Sequence, residues 1–445
     1  MSENRNVWEK RSYEEVDDFC KGYMDFLQKC KTERECASEI RREAESKGFV
    51  DIAHVSSLKP GDRVYAENRH KNIILAVVGK SQRARIIASH IDAPRLDLKQ
   101  KPVYEDGESR LGMLETHYYG GVRKYQWLNL PLAIHGVVVK KDGSPVEVCI
   151  GEDDGCFIIS DLPPHLGKKQ DELKLTEAVK GEDLNIIASS LEAGDKEGFK
   201  KNILNILESG YGIKEEDLIS ADLEAVPALK PKSLGFDRSM IGAYGQDDRA
   251  CAYTSMRAII DASAGEDTII SIFADKEEIG SDGSTGMSSA FFENFVRDLI
   301  EKCGSSEKPY RFLENSKAIS ADVTTALHPD HKDVQDVKNA ARLGFGIAVE
   351  KFTGHGGKYG ASEATAEFVA EMRRVFEKDG ICWQSDELSK VDEGGGGTVA
   401  KFLAKYNMDV IDAGPALLGM HSPFELSSKA DIYESYRAYR IFFSG

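Results

Sequence analysis

"TIISIFADKEE", residues 268 to 278, is a β-prone run that ends on four charged side chains: Asp275, Lys276, Glu277 and Glu278. Its length and branched residues read as a strand, and the acids mark where that strand leaves the core. A strand sends neighbouring side chains to opposite faces. Two adjacent glutamates can therefore serve one site only if the backbone turns here and gives each carboxylate its own task.

The same pattern recurs on both sides of this stretch. "NIILAVVGK" (72–80) and "RARIIASH" (83–90) are short aliphatic runs suited to strands buried on both faces, the second ending on His90. "GQDDRACAYTSMRAIIDA" (245–262) is a polar turn leading into a helix. "KAISADVTTALHP" (317–329), "GFGIAVEKFTG" (344–354) and "MDVIDAGPALLGMHSPFE" (408–425) again end aliphatic runs in acids or histidine. Alternation of such strands with helical patterns predicts an α/β fold with a mixed central sheet flanked by helices. Upstream, Val16, Phe19, Cys20, Tyr23, Leu27 and Cys30 form one stripe of an amphipathic helix, and Thr32 with Glu35 reads as a capping box for a second helix running toward Gly48.

Residues 99–238 differ in texture. "THYYGGVRKYQWLNLPLAIHGVVVKKDGSPVEVCIG" (116–151) alternates short β-prone runs with Gly and Pro turns, and Phe199, Ile203, Leu204 and Ile206 suggest one helical stripe further on. The expected organisation is a core built from 1–98 and 239–445, interrupted by a β-rich lobe at 99–238. A chain of 445 residues accommodates this, since length alone suggests about two to three domains or one large domain with an insertion.

Composition narrows the function. Lys and Arg number 58 against 75 Asp and Glu, a formal charge of −17, which argues against a nucleic-acid partner because phosphate attraction needs positive charge. No stretch approaches the apolar length of a membrane span, and "MSENRNVWEKRSYEEVDDF" has no apolar leader, so the expectation is a soluble cytoplasmic protein with no membrane partner. The eight cysteines are scattered without a CxxC pair, which reads as reduced thiols in packing sites rather than a disulfide framework or a thiolate metal site.

In open α/β sheets, residues at the carboxyl ends of strands meet across long sequence gaps. Here those residues are His90 and Asp92 in "SHIDAPRLDL", Asp247 and Asp248 in "GQDDR", Glu277 and Glu278, Asp322 in "ISADV" and His421 in "GMHSPFE". Taken singly, each is more often a structural histidine, a solvated acid pair or a helix N-cap. Together, imidazoles and carboxylates without thiols suit a pair of zinc-like ions bridged by a carboxylate, for which Asp247 is the candidate. His90 with Glu278 or Asp322 would complete one ion, and His421 with the remaining carboxylate the other. Asp92 is placed to accept the other His90 N–H and fix its tautomer. Glu277 is then left to act as general base. "GSDGSTG" and "EGGGG" lack the GK[ST] ending of a phosphate loop and read as turns. "GHGGKYG" (354–360) offers backbone N–H groups and Lys358 for an anionic substrate group, or is a flexible surface loop.

With these motifs in order, the sequence resembles the aspartyl aminopeptidase / vacuolar aminopeptidase I family of dinuclear zinc metallopeptidases over nearly its whole length. The resemblance is carried by His90-x-Asp92, by Asp247 at a helix start, and by Glu277-Glu278 followed by Ile279-Gly280-Ser281. Ser320-Ala321-Asp322 and Met420-His421-Ser422 complete it. It implies two zinc ions per subunit held by His90, Asp247, Glu278, Asp322 and His421, with cobalt or manganese as substitutes, Glu277 as general base and Asp92 supporting His90. It pairs His90 with Asp322 on one ion and Glu278 with His421 on the other. It further implies an inserted dimerisation domain, a homododecamer, and His165 in "DLPPHLG" reaching a neighbouring subunit's site. Asp275-Lys276 stands where Asp-His is common in the family, which leaves the role of Lys276 and a preference for acidic N-termini open. The expected activity is hydrolysis of N-terminal residues from peptides with a free amine. The alternatives are a related dinuclear amidohydrolase or deacylase, and a non-catalytic peptide-binding assembly protein.

Overall fold

Alternate residues of the aliphatic runs face opposite sides of one sheet, and each side is covered by helices. Ile73, Leu75, Val77, Ile87, Ile269, Phe273, Ile319 and Ile411 pack on one side. Ile74, Ala76, Ile86, Ala88, Ile270, Ile272, Ala318 and Val410 pack on the other. Burial of each large aliphatic side chain contributes about 1.5–3 kcal/mol, so the uninterrupted apolar character of these runs is what the two-sided covering requires. The computed structural model describes residues 6–153, 155–194, 198–263 and 265–445. Two compact units emerge: Met1–Asp92 with Pro231–Met420 and Glu425–Gly445, and Ala93–Lys230 with His421–Phe424.

The first unit holds a nine-stranded mixed sheet. Its spatial order is Val50–Asp51, Arg63–Asn68, Asn72–Val77, Thr268–Ala274, Ala84–His90, Lys317–Ser320, Asp409–Gly414, Ile347–Glu350 and Trp383–Asp386. Its centre is parallel, and the register places Ala274 beside His90 and Ser320 beside Ala88. The carboxyl ends of three strands therefore stop side by side, and the segments leaving those ends converge. A five-stranded sheet in the same unit pairs Met240–Ala243 with Glu425–Ser428, setting Ala243 opposite Glu425. The helix Gln246–Asp261 starts just beyond it.

Helices at the chain start follow the expected pattern. Tyr13–Lys29 buries Val16, Cys20, Tyr23, Phe26 and Leu27. Glu33–Ser46 opens on the Thr32–Glu35 capping box. The second unit is a six-stranded antiparallel sheet flanked by the helix Phe199–Tyr211. That helix buries Phe199 and Ile203, whereas Ile206 is 55% exposed, so the expected stripe does not extend to Ile206. All eight cysteines are free thiols. Among the described residues, no helix is long and apolar enough to cross a membrane.

One glycine is fixed by close approach. A Cβ on Gly414 would lie 1.9 Å from the Asp322 carbonyl oxygen and 3.0 Å from Cys251 Sγ. Gly414→Ala is expected to destabilise the fold by about 1–3 kcal/mol, the usual cost of overpacking, and to displace the Asp322 segment. Thermal denaturation together with zinc content checks this: both should fall.

Candidate metal centre

The parallel register delivers His90 at the end of its own strand and the Glu277–Ile279 turn just beyond the neighbouring one. The backbone does turn after Ala274. Lys276 takes a left-handed conformation at φ 68° and Ser281 at φ 62°, on either side of the glutamates. Left-handed non-glycine residues are disfavoured, so two of them around one doublet show that the tertiary setting dictates this loop.

Asp92 is the part of that setting that can be traced atom by atom. It is fully buried, at 0% exposure. Its Oδ1 accepts the Glu277 N–H at 3.1 Å and its Oδ2 the Glu278 N–H at 3.2 Å. The same Oδ1 lies 3.3 Å from His90 Nδ1, which also lies 3.1 Å from the Asp92 carbonyl oxygen. With Nδ1 engaged, His90 turns Nε2 toward Asp247 Oδ1 at 3.2 Å and Asp322 Oδ1 at 3.8 Å. Burial opposes a charge on this imidazole, but Asp247, Asp322 and Asp92 together hold its pKa well above the ordinary histidine value.

Two overlapping sets of ligand atoms result, each within 4.8 Å: His90, Asp247 and Glu278, and His90, Glu277 and Asp322. An imidazole ringed by buried and half-buried carboxylates is a place built for positive charge, and nitrogen and oxygen donors without thiolate fit zinc. Burial, reinforced by Asp322, Asp92 and Asp247 and opposed by His90, pushes the Glu277 carboxyl up to about 8. A carboxyl with that affinity exchanges its proton near neutral pH.

Residues that the motifs did not single out hold the others in place. Glu425 is buried, and its Oε2 accepts the N–H groups of Gln246 at 2.6 Å and Asp247 at 3.2 Å, fixing the helix start that carries Asp247. Asp248, which the GQDDR motif did single out, joins them: its Oδ2 accepts the His90 backbone N–H at 3.3 Å. Glu350, Asp386 and Asp412 occupy paired positions on three adjoining strands. Burial pushes Asp386 up to about 6 and Asp412 up to about 7, while Thr324 and Thr398 donate hydroxyl hydrogen bonds to them. For Glu350 the sequence signal is the acid that closes its aliphatic run, whereas "WQSD" (383–386) gives no such signal for Asp386.

The two ligand sets found among the described residues do not include the remaining candidates. His421 belongs to the second unit, with Nδ1 3.0 Å from the Gly121 carbonyl oxygen. His165 is exposed in the same unit. Lys358 pairs with Glu363 Oε1 at 3.1 Å and lies 3.8 Å from the Phe352 ring centroid, so local groups engage its ammonium. Lys276 Nζ lies 3.6 Å from Oδ2 of the buried Asp275, which also accepts the Thr285 hydroxyl. Lys276 thus balances a buried acid behind the doublet.

Fold and centre together define a metal-dependent hydrolase. Residues 26–443 match the family described as aminopeptidase I zinc metalloprotease (M18). A probable M18 family aminopeptidase 1 of Clostridium acetobutylicum is 49% identical, covering 99% of this chain and 98% of the relative. A Thermotoga maritima M18 aminopeptidase crystal structure superposes with a TM-score of 0.96 at 47% identity, covering 100% of both chains. The Saccharomyces cerevisiae mApe1 dodecamer, 20% identical, shares the fold with a TM-score of 0.77, covering 97% of each chain. The chain belongs to the M18 family and is a zinc-dependent aminopeptidase.

Two outcomes are expected from the geometry. Asp92→Asn cannot serve His90 and both N–H groups equally and should weaken zinc binding by about 10–100-fold, measured by competition with a chromophoric chelator. Zinc takes neutral imidazole, whereas metal-free His90 holds its proton above the usual range. Protons therefore compete, and affinity should fall as pH falls, by about tenfold per pH unit for each proton displaced.

Proposed function

We propose that this aminopeptidase works through two zinc ions, with Asp247 bridging them and Glu277 as general base. The observation that carries this reading is the pair of overlapping ligand sets sharing His90, with Glu277 in one and Glu278 in the other. Bound there, zinc supplies Lewis acidity toward the scissile carbonyl and makes water easier to deprotonate. The chain's own groups do the rest. Asp92 holds both glutamate N–H groups, so the neighbouring side chains diverge from one fixed backbone. Glu278 serves as an anchor for metal. Glu277, whose burial raises its proton affinity, takes the proton of the attacking water and passes it to the leaving amine. Asp322 and His90 complete the ligand set, with His421 as the second imidazole on the strength of its Met420-His421-Ser422 setting alone.

Peptides with a free N-terminus are the proposed substrates, and the substrate amine is proposed to be held beside the carboxylates. The unit built on Ala93–Lys230 is proposed to mediate dimerisation within a homododecamer, supported by the dodecamer of the fold relative. His165 is proposed to reach a neighbouring subunit's site, and Lys358 to meet an anionic group of the substrate. The cytoplasm is the proposed location, and cobalt and manganese the proposed substitute metals.

Mutation separates the two glutamates. Glu277→Gln should retain both ions while turnover falls by about 10²–10⁴-fold, the usual contribution of a general base. Glu278→Ala should lose zinc as well as activity. Zinc content by elemental analysis, read beside kcat on a dipeptide, distinguishes them, and loss of metal in Glu277→Gln would reverse the assignment. A chelator should abolish activity on free-amine peptides, and N-acetylated peptides should resist cleavage. Turnover of N-acyl substrates alone would favour the deacylase reading.

A further inference from the structure

The six-stranded sheet of the second unit and the helix Phe199–Tyr211 do not close fully on each other. On the sheet side, the strand Arg95–Asp106 bulges against Leu111–Tyr119: Leu98 faces Thr116, but the next pair is Val103 with Leu114. On the helix side, Phe199 and Ile203 are buried, and the apolar stripe ends one turn later at the exposed Ile206. A cavity of about 220 Å³ is left between them, bounded by Leu98, Val103, Leu114, Val148, Ile203 and Ile206 among others. Ile203 is 8% exposed and Ile206 55%, so the opening to solvent lies beside Ile206.

The chemistry of this space is uniform. None of the described residues that line it has a polar side chain. Protein interiors pack densely enough that voids larger than a water molecule are few, so a space of this size asks for an occupant. Water is a poor one. It needs about two to four polar partners to settle, and an apolar cavity of about 150 Å³ stays dry and accepts benzene instead. A charged or hydrogen-bonding guest would give up its hydration here and receive nothing in return. A hydrocarbon guest loses no hydrogen bonds, leaves water favourably and restores the dispersion contacts that the lining side chains lack on one side.

We infer that this cavity is a binding site for one neutral, hydrocarbon-like molecule, the size of a benzene ring carrying a short alkyl chain, which enters beside Ile206. The guest bridges two elements, since Ile203 and Ile206 come from the helix and Leu114 and Val148 from the sheet. It therefore ties the helix to the sheet and stabilises the folded unit, because the unfolded chain offers no such space. The lining contains no residue of either metal-ligand set, so zinc content and turnover do not depend on the guest.

The test titrates the full-length zinc-loaded protein, labelled at its isoleucine δ1 methyl groups, with ethylbenzene and follows the methyl signals by NMR. Expected is saturable movement of the Ile134, Ile150, Ile203, Ile206 and Ile213 signals with a Kd of about 0.1–1 mM, while Ile73, Ile87 and Ile269 of the first unit stay in place. Val148→Phe fills the space with a ring of its own and should weaken binding by about tenfold or more, with kcat and zinc content unchanged. Ile203→Ala enlarges the space and should keep the binding. The methyl map places the guest without any substitution, so a Val148→Phe protein that fails to fold does not shield the inference. No saturation up to the solubility limit of ethylbenzene, shifts spread equally over both units, or undiminished binding by folded Val148→Phe protein overturns it. A second copy filling the space overturns it too: the same methyl signals would then move on dilution of the protein and not with ethylbenzene.

Discussion

The buried carboxylate of Asp92 is the constraint on which the centre depends. It sits against the His90 ring and accepts the backbone N–H groups of Glu277 and Glu278. Hydrogen bonds to a charged acceptor are worth about 1.5–3 kcal/mol each, and here two of them fix the backbone from which adjacent side chains must part. The carboxylate that sets the imidazole's tautomer is also the one that sets the doublet. A proposed ligand and the proposed base are therefore positioned by a single group.

That arrangement needs the sheet beneath it. Parallel pairing stops Ala84–His90, Thr268–Ala274 and Lys317–Ser320 at one level, so His90, the glutamate turn and Asp322 arrive together although more than two hundred residues separate the first from the last. Asp247 arrives by a different route, from a helix start that Glu425 secures on the second, smaller sheet of the same unit. Burial then gives the site its electrostatics. Carboxylates gathered away from water repel one another, a repulsion that cations relieve, which is why an imidazole pKa raised by three aspartates marks a metal centre better than any one residue does.

Much of this is legible in the sequence because strand ends announce themselves: an aliphatic run that stops at an acid or a histidine gives His90, Glu277, Glu278 and Asp322 directly. The capping box at Thr32 is equally plain, since it depends on residues three apart. Glu425 is not legible, because "HSPFELSS" offers no local sign that its carboxylate will meet a backbone N–H about 180 residues away. Periodicity overstates the helical stripe at 199–206, since it shows a face but not where its covering ends, and Ile206 lies past that edge. Lys276, unexplained by sequence, takes its meaning from Asp275, a buried acid whose burial only the fold reveals. Arg249 and Cys36 are the extreme case: a cation and a thiol in different helices, adjacent only because both helices cover the same face of the sheet.

The central claim is a division of labour between neighbouring glutamates on one fixed turn. A crystal structure of the zinc-loaded protein, with anomalous scattering recorded on both sides of the zinc edge, tests it most directly. The account predicts two zinc peaks flanking Asp247, with Glu278 oxygen at about 2.0–2.2 Å from one of them and Glu277 outside coordination distance of both. A single peak, or Glu277 coordinating in place of Glu278, would contradict it.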